Sequence, residues 1–154
     1  MSPSQSYDFK LLEHGEVAEM RDLLRVFSEA FEDAPTYGER PPSGAYLKRL
    51  LDMEHFIALV ALHDGRVVGG LTAYVLDKFE QERREAYIYD LAVLKEHRRL
   101  GIATGLIQEL KRIARQRGVY VIFVQADRGD EPAIRLYESL GRREDVHHFD
   151  IPVP

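Results

Sequence analysis

The sequence predicts a mixed α/β fold: a twisted, mostly antiparallel sheet with helices on both faces. Three observations carry this. Two apolar runs, Phe56 to Leu62 and Val67 to Leu76, flank Asp64-Gly65, a dipeptide that closes tight hairpins. The strand-like segments Ala86 to Val93 and Val119 to Gln125 enclose a helical pattern, so those two strands should run parallel. Further amphipathic helices lie before and after this block.

Taken in order, Tyr7 to Leu12 alternates loosely and reads as a first strand. Glu16 to Phe31 places Val17, Met20, Leu24, Phe27 and Phe31 on one helical stripe. Pro35 to Gly44 is a Pro/Gly-rich break, read as an exposed loop. Ser43 can cap a short helix carrying Tyr46, Leu47, Leu50 and Leu51. The hairpin and the strand Ala86 to Val93, rich in Tyr and Ile, follow. Leu100 to Gly118 repeats apolar residues at Ile102, Leu106, Ile107, Leu110, Ile113 and Ala114, and ends in Arg115, Arg117 and Gly118 as helix termini do. Val119 to Gln125 reads as a buried-type strand. Asp130 is an N-cap with Pro132 in the first turn, and Ala133, Leu136, Tyr137 and Leu140 form a helix closed by Gly141. Val146 to Ile151 reads as a last short strand.

Composition narrows the function. The 154 residues suit a single domain spanning 1–154. With no cysteine in the chain, disulfides, thiolate nucleophiles and Cys-ligated zinc are excluded. The net charge of -5 disfavours nucleic acid and weakly favours cationic partners, although the same charge also serves solubility alone. No run is long and apolar enough for a membrane helix, and the start carries no secretory pattern, so a cytoplasmic location without membrane attachment is expected. His147 and His148 are adjacent, point to opposite faces of a strand and make a poor metal pair; no metal is expected.

The informative stretch runs from Tyr89-Asp90-Leu91-Ala92-Val93 to Arg98-Arg99-Leu100-Gly101-Ile102-Ala103-Thr104. A strand enters a short basic loop and then a helix. Gly101 and Ala103 leave little side chain above the first-turn amides, which are unpaired and lie at the positive end of the helix dipole. A pyrophosphate fits such a turn, with Arg98 and Arg99 adding charge. A glycine needed only for the tight turn, beside solvated arginines, explains the same residues equally well. Neither the GxGxxG nor the GxxxxGK[ST] nucleotide pattern is present.

Arg98-x-x-Gly101-x-Ala103 after Asp90-Leu91-Ala92-Val93 resembles the acetyl-CoA pyrophosphate motif of the GCN5-related N-acetyltransferase (GNAT) superfamily. Ala133-Ile-Arg-Leu-Tyr137-Glu-Ser-Leu-Gly141 resembles its second signature, with a tyrosine four residues before a glycine. Three stretches are similar to the aminoglycoside 3-N-acetyltransferase type I (gentamicin acetyltransferase) group: Ala73 to Gln81, Tyr87 to Val93, and Val124-Gln-Ala-Asp127 with His148-Phe-Asp150. Two positions depart from the superfamily pattern. Arg142 stands where an aromatic residue is common, and Asp130 and Glu131 stand where Asn is common.

The resemblance implies a GNAT-like acyl-CoA fold, acetyl-CoA as co-substrate and an aminoglycoside acceptor acetylated at the 3-amino group of its 2-deoxystreptamine ring, an activity that confers antibiotic resistance. It also implies cofactor contacts from Leu91, Ala92, Val93, Arg98, Arg99, Leu100, Gly101, Ile102, Ala103 and Thr104. Without cysteine or a G-x-S-x-G elbow, direct transfer in a ternary complex remains. Asp90, in an otherwise apolar strand, is the candidate to take or relay the amine proton, or else only pairs with a cationic substrate. Tyr137 is the proton donor to the thiolate by resemblance; core packing on its helix is the other reading. A backbone N–H between Leu91 and Val93 is the candidate oxyanion donor. Asp127, Asp130, Asp150 and Glu80 are candidate acidic contacts for the substrate's ammonium groups, although Asp130 is already explained as a cap and the run Glu80 to Glu85 as a solvated loop. Exposed apolar residues around Phe149 and Ile151 suggest a homodimer. Acetylation of another amine, or a non-catalytic acyl-CoA-binding domain, are the rival functions.

Overall fold

The computed structural model of the chain describes residues 6–154. Strands β1 (Asp8–Leu11), β2 (Phe56–His63), β3 (Arg66–Asp77), β4 (Arg84–Val93) and β5 (Val119–Val124) form one sheet in the order β1-β2-β3-β4-β5. The first three pairings are antiparallel and β4 pairs with β5 in parallel. Helices α1 (Val17–Phe31), α2 (Ala34–Tyr37) and α3 (Gly44–Asp52) precede β2, while α4 (Ile102–Gln116) and α5 (Glu131–Leu140) flank β5. This is the mixed α/β architecture that the sequence predicts.

The long apolar runs follow from burial on both faces. In β2, Ile57, Leu59 and Ala61 face a core built with Ile102, Leu106, Ile107, Leu110 and Ile113 of α4. The alternate residues Phe56, Ala58 and Val60 face a second core built with Met20, Leu23, Val26 and Phe27 of α1 and Leu47 of α3. Asp64 and Gly65 join β2 to β3 with φ of 49° and 76°, a turn whose twist matches the strands. Ser43 caps α3 as expected, its Oγ accepting from Tyr46 N at 3.1 Å. Asp130 caps α5 by accepting from Ala133 N at 3.3 Å.

Four expectations need correction. The segment read as a loop from Pro35 contains α2, because Asp33 accepts from Thr36 N at 3.2 Å and Pro35 sits in the first turn, where its missing N–H costs nothing. The helix read from Leu100 begins at Ile102, preceded by a single 3-10 turn over Lys95–His97. Strand β5 is an edge strand with Tyr120, Val121 and Phe123 exposed, not a buried one. Val146 to Ile151 forms no strand: residues 142–154 have no regular structure and are exposed.

Candidate active site

Register decides which side chains gather. Thr72 of β3 faces Asp90 of β4, but Ala73 faces Ile88, so Tyr89 is an extra residue and β4 carries a bulge there. A one-residue slip inverts every later side chain. Ile88 points into the α4 core, and so do Leu91 and Val93 beyond the bulge. Asp90 instead turns to the α1–α2 face, where Tyr37 Oη donates to its Oδ1 at 2.7 Å. The Tyr37 ring is wedged beside Phe27 and Phe31, with centroids 5.8 and 5.4 Å away. The α2 turn capped by Asp33 therefore fixes the carboxylate that the β4 bulge presents.

Tyrosines surround this carboxylate. Tyr74 meets Tyr89 edge-on at 5.9 Å, and Tyr89 meets Tyr87 at 5.6 Å. Tyr87 also stacks on Phe123 at 4.7 Å and donates to Gln125 Oε1 at 2.9 Å. Asp90 is half-buried, and its carboxyl is held above the ordinary aspartate value because burial outweighs the opposing Tyr37 hydrogen bond. Burial raises the phenols of Tyr37, Tyr74 and Tyr87 as well, with the Asp90 charge adding to it. This part of the sheet thus presents one partly desolvated carboxylate among aromatic side chains, with the Tyr37 and Tyr87 hydroxyls engaged by Asp90 and Gln125.

Beside it the sheet opens. Pairing between β4 and β5 ends at Ile88 with Val124, while β4 continues to Val93. Leu94 N bonds to Val68 O across β3 at 2.8 Å. Alternation then turns the amides of Leu91 and Val93 to the open side, where an oxyanion would find donors.

The gap leads to the turn before α4. Arg99 and Gly101 both have positive φ, 63° and 81°. Left-handed residues on either side of Leu100 curl the backbone tightly, and turns that alternate hand in this way can present amides to an anion. Gly101 is the N-cap and brings no side-chain acceptor, so the first-turn amides of Ile102, Ala103 and Thr104 lack a cap partner. A methyl group built on Gly101 meets nothing within 4 Å, so the space above the turn is open. Those features fit a pyrophosphate. The basic side chains divide. Arg98 Nε donates to Val93 O at 3.0 Å and its Nη2 to Ala30 O at 3.5 Å, so it ties the end of β4 to α1. Ile102 sends its side chain into the core and offers only backbone. On the other flank, Tyr7 Oη and His97 Nδ1 lie 3.0 Å apart and brace the 3-10 turn against the start of β1.

The remaining candidates separate. Tyr137 is partly buried against the α4 core, and burial, assisted by the Asp130 charge, pushes its phenol up to about 12. It therefore stands on the opposite face of the sheet from Asp90, across the β4–β5 gap. Asp127 follows β5 at the same end of the sheet as Asp90. Asp130 is committed to capping. Glu80 lies in the β3–β4 loop, ion-paired to Arg83 at 3.0 Å, at the other end of β4 and roughly 20 Å along the strand from Asp90. Asp150 sits on the exposed C-terminal segment, 2.9 Å from His148. Among the described residues no group of three or more His, Asp and Glu is arranged to hold a metal ion. The reading of the sequence missed Tyr37, Tyr74 and Tyr89. The pattern Asp33-Ala-Pro35 was the available signal for the turn that carries Tyr37.

The acetyltransferase (GNAT) family profile matches residues 18–141, and the chain belongs to that family. Among solved structures it is similar to an aminoglycoside acetyltransferase from an uncultured soil metagenomic sample, with 60% identity, a TM-score of 0.95, and 97% of this chain and 99% of that one covered. A second aminoglycoside acetyltransferase from an uncultured soil metagenomic sample, in complex with sisomicin, is 33% identical with a TM-score of 0.89, covering 96% and 97%. A curated relative, glucosamine 6-phosphate N-acetyltransferase of Trypanosoma brucei brucei, is 28% identical over 142 residues, 88% of each chain. The chain is thus a GNAT acetyltransferase, structurally close to aminoglycoside acetyltransferases.

Proposed function

We propose that this chain transfers an acetyl group from acetyl-CoA to the 3-amino group of an aminoglycoside's 2-deoxystreptamine ring, by direct attack within a ternary complex. The observation that carries this reading is Asp90: a desolvated carboxylate, turned by a bulge into a tyrosine-walled face beside the open β4–β5 gap. The two soil-sample neighbours support the aminoglycoside class.

Acetyl-CoA supplies an activated acyl group. The first-turn amides of α4 and the left-handed Arg99–Gly101 turn would hold its diphosphate. Leu91 and Val93 would offer N–H groups to the carbonyl oxygen as negative charge develops there. On the α1–α2 face, Asp90 Oδ2 would attract an ammonium group and take its proton, directly or through water, while Tyr37 holds Oδ1. The faces of Tyr74, Tyr87 and Tyr89 would bind sugar rings and neighbouring ammonium groups. Tyr137, kept protonated by burial, would give its proton to the leaving sulfur from the other face. Holding both substrates together lowers the barrier without an acyl-enzyme, and the chain has no cysteine to form one through a thiol. Asp127 would add charge for a polycation. In a cell the reaction would remove a positive charge from the drug and give resistance in the cytoplasm.

The test is CoA release by the purified chain with sisomicin, gentamicin, spermidine and a lysine peptide, with NMR of the product. Saturable release with the two aminoglycosides and acetylation at the 3-amino group is the expected result. Turnover with spermidine or peptide but not with aminoglycosides would overturn the substrate class. Acetylation at a different amine would overturn the position alone.

A further inference from the structure

We propose that Tyr7 and His97 are positioning residues for the cofactor: their contact, between the start of β1 and the 3-10 turn, holds the amides before α4 in the geometry that grips a diphosphate. The inference rests on the reading that acetyl-CoA binds at this turn. Helix α4 packs across all five strands, so its beginning reaches the outermost one, β1. Alternation puts Tyr7, Phe9 and Leu11 on the face that α4 covers, and all three pack against its core. Two of them meet the cofactor turn, one just before it and one just after.

The contact before the turn is polar. Tyr7 Oη and His97 Nδ1 lie 3.0 Å apart. The two rings meet edge-on with centroids 5.8 Å apart, and His63 of β2 stacks beside both, 5.2 Å from Tyr7 and 5.3 Å from His97. Three rings from three segments thus form one cluster, and all three residues are partly buried. The contact after the turn is steric. Gly105 closes the first turn of α4, its N–H donating to Gly101 O at 2.9 Å. A methyl group built on Gly105 would overlap the Phe9 ring, so the missing side chain is what lets β1 approach the helix.

Between those contacts lie Arg98 to Thr104, with left-handed Arg99 and Gly101 and the first-turn amides of Ile102, Ala103 and Thr104. With Gly101 as N-cap, this helix start lacks the side-chain bond that commonly fixes one. Glycine also widens the choice of backbone angles. Hydrogen bonds to an anion weaken steeply as their donors swing out of line. Any freedom left in the free protein must be given up on binding, at a cost in affinity. Arg98 anchors one side of the turn through Val93 O and Ala30 O. Tyr7 and Phe9 anchor the other, and β1 is itself fixed on β2 by a register that pairs Phe9 with Ala61. Tyr7 and His97 therefore act through the backbone of the turn and take no part in the acetyl-transfer step.

The test is a double-mutant cycle on the full chain, read by calorimetric titration with acetyl-CoA. Tyr7→Phe keeps the ring and removes the hydroxyl, while His97→Ala removes the partner. Each should weaken acetyl-CoA binding about three- to tenfold, the net contribution of one hydrogen bond. The double variant should bind within about twofold of His97→Ala, since the same bond is broken only once. His97→Asn, which offers a polar atom where Nδ1 stood, should bind within about twofold of the parent. With the acceptor that the parent turns over best, kcat at saturating acetyl-CoA and KM for that acceptor should stay within about twofold in Tyr7→Phe, so that the loss falls on KM for acetyl-CoA. Unchanged affinity in Tyr7→Phe, whatever its melting temperature, would overturn the proposal, as would losses that multiply in the double variant or a loss confined to kcat. A parent chain with no saturable affinity would overturn it together with the cofactor reading beneath it. Binding by the parent with indifferent variants would overturn the positioning role alone.

Discussion

Replacing Asp90 with Asn separates catalysis from folding, because the two should move in opposite directions. Asn keeps an oxygen that can accept from Tyr37 Oη, so the 2.7 Å hydrogen bond can survive. The remaining group changes from an acceptor into an N–H donor facing the substrate's amine. General-base assistance contributes about 10²–10⁴-fold, so turnover should fall by that factor, equivalent to about 3–5 kcal/mol of barrier. KM for the aminoglycoside should rise, since the side chain no longer attracts an ammonium. Cofactor affinity should hold within about threefold, because the turn before α4 is untouched. Stability should respond with the other sign. The folded-state value of Asp90 is raised above that of the unfolded chain. The protonated form is therefore favoured by folding, and that contribution is lost as pH climbs through the unfolded value of about 3.9 and beyond. At pH 7.5 the carboxylate is a liability, so the variant should melt no lower than the parent, with the difference closing toward pH 4. Steady-state kinetics, calorimetric titration with acetyl-CoA and scanning calorimetry at both pH values give the three readouts. Turnover within tenfold of the parent would refute the proton-transfer role. A variant that melts lower at pH 7.5 would refute the account of the burial.

Two further changes bear on the same site. Tyr37→Phe removes the hydrogen bond that lowers the Asp90 value, so that value should rise further. In the proposed mechanism the carboxylate acts ionised, and the acid limb of kcat/KM against pH should therefore shift upward; a pH profile that stays put or shifts down would count against it. Gly101→Ala forces a left-handed residue with a side chain, at about 1–2 kcal/mol, which corresponds to a melting-point drop of only a few degrees in a chain of this size. The added methyl also projects into the open space above the turn, so acetyl-CoA should bind at least about tenfold more weakly by calorimetry. Equal affinity would show that the diphosphate sits elsewhere.

The sheet was legible where sequence periodicity and burial coincide. Runs such as Ile57 to Ala61 are apolar at every position because both faces are covered, and Asp64-Gly65 allows little besides a hairpin. Helix α4 was equally plain, since its stripe from Ile102 to Ile113 faces a single core. The C-terminal arm misled for an instructive reason. Phe149, Ile151 and Val153 do alternate like a strand, but among the described residues no neighbour of the same chain receives their backbone hydrogen bonds. Periodicity reports what a segment can pair with and is silent on whether a partner strand stands within reach. The same limit applied to β5, whose composition is that of a buried strand while its position is an edge.

The site shows a sharper limit. Asp90 and the turn at Gly101 could be picked out because a carboxylate inside an apolar strand and a glycine before a helix are local anomalies. Tyr37 could not, because its importance depends on the β4 bulge. Strict alternation from Ile88 would send residue 90 into the α4 core and put a carboxylate among Leu106, Leu110 and Ile113. One extra residue at Tyr89 reverses that and delivers Asp90 to a tyrosine from a helix that lies 53 positions earlier. Such a bulge leaves no composition signal, since Tyr-Asp satisfies either face in isolation. It is selected by what packing forbids: an ionised group beneath α4 would have no partner, whereas beneath α1 it has Tyr37 and the open gap. The placement of Asp90 on which the proposed chemistry rests therefore follows from a backbone irregularity that only the assembled sheet can choose.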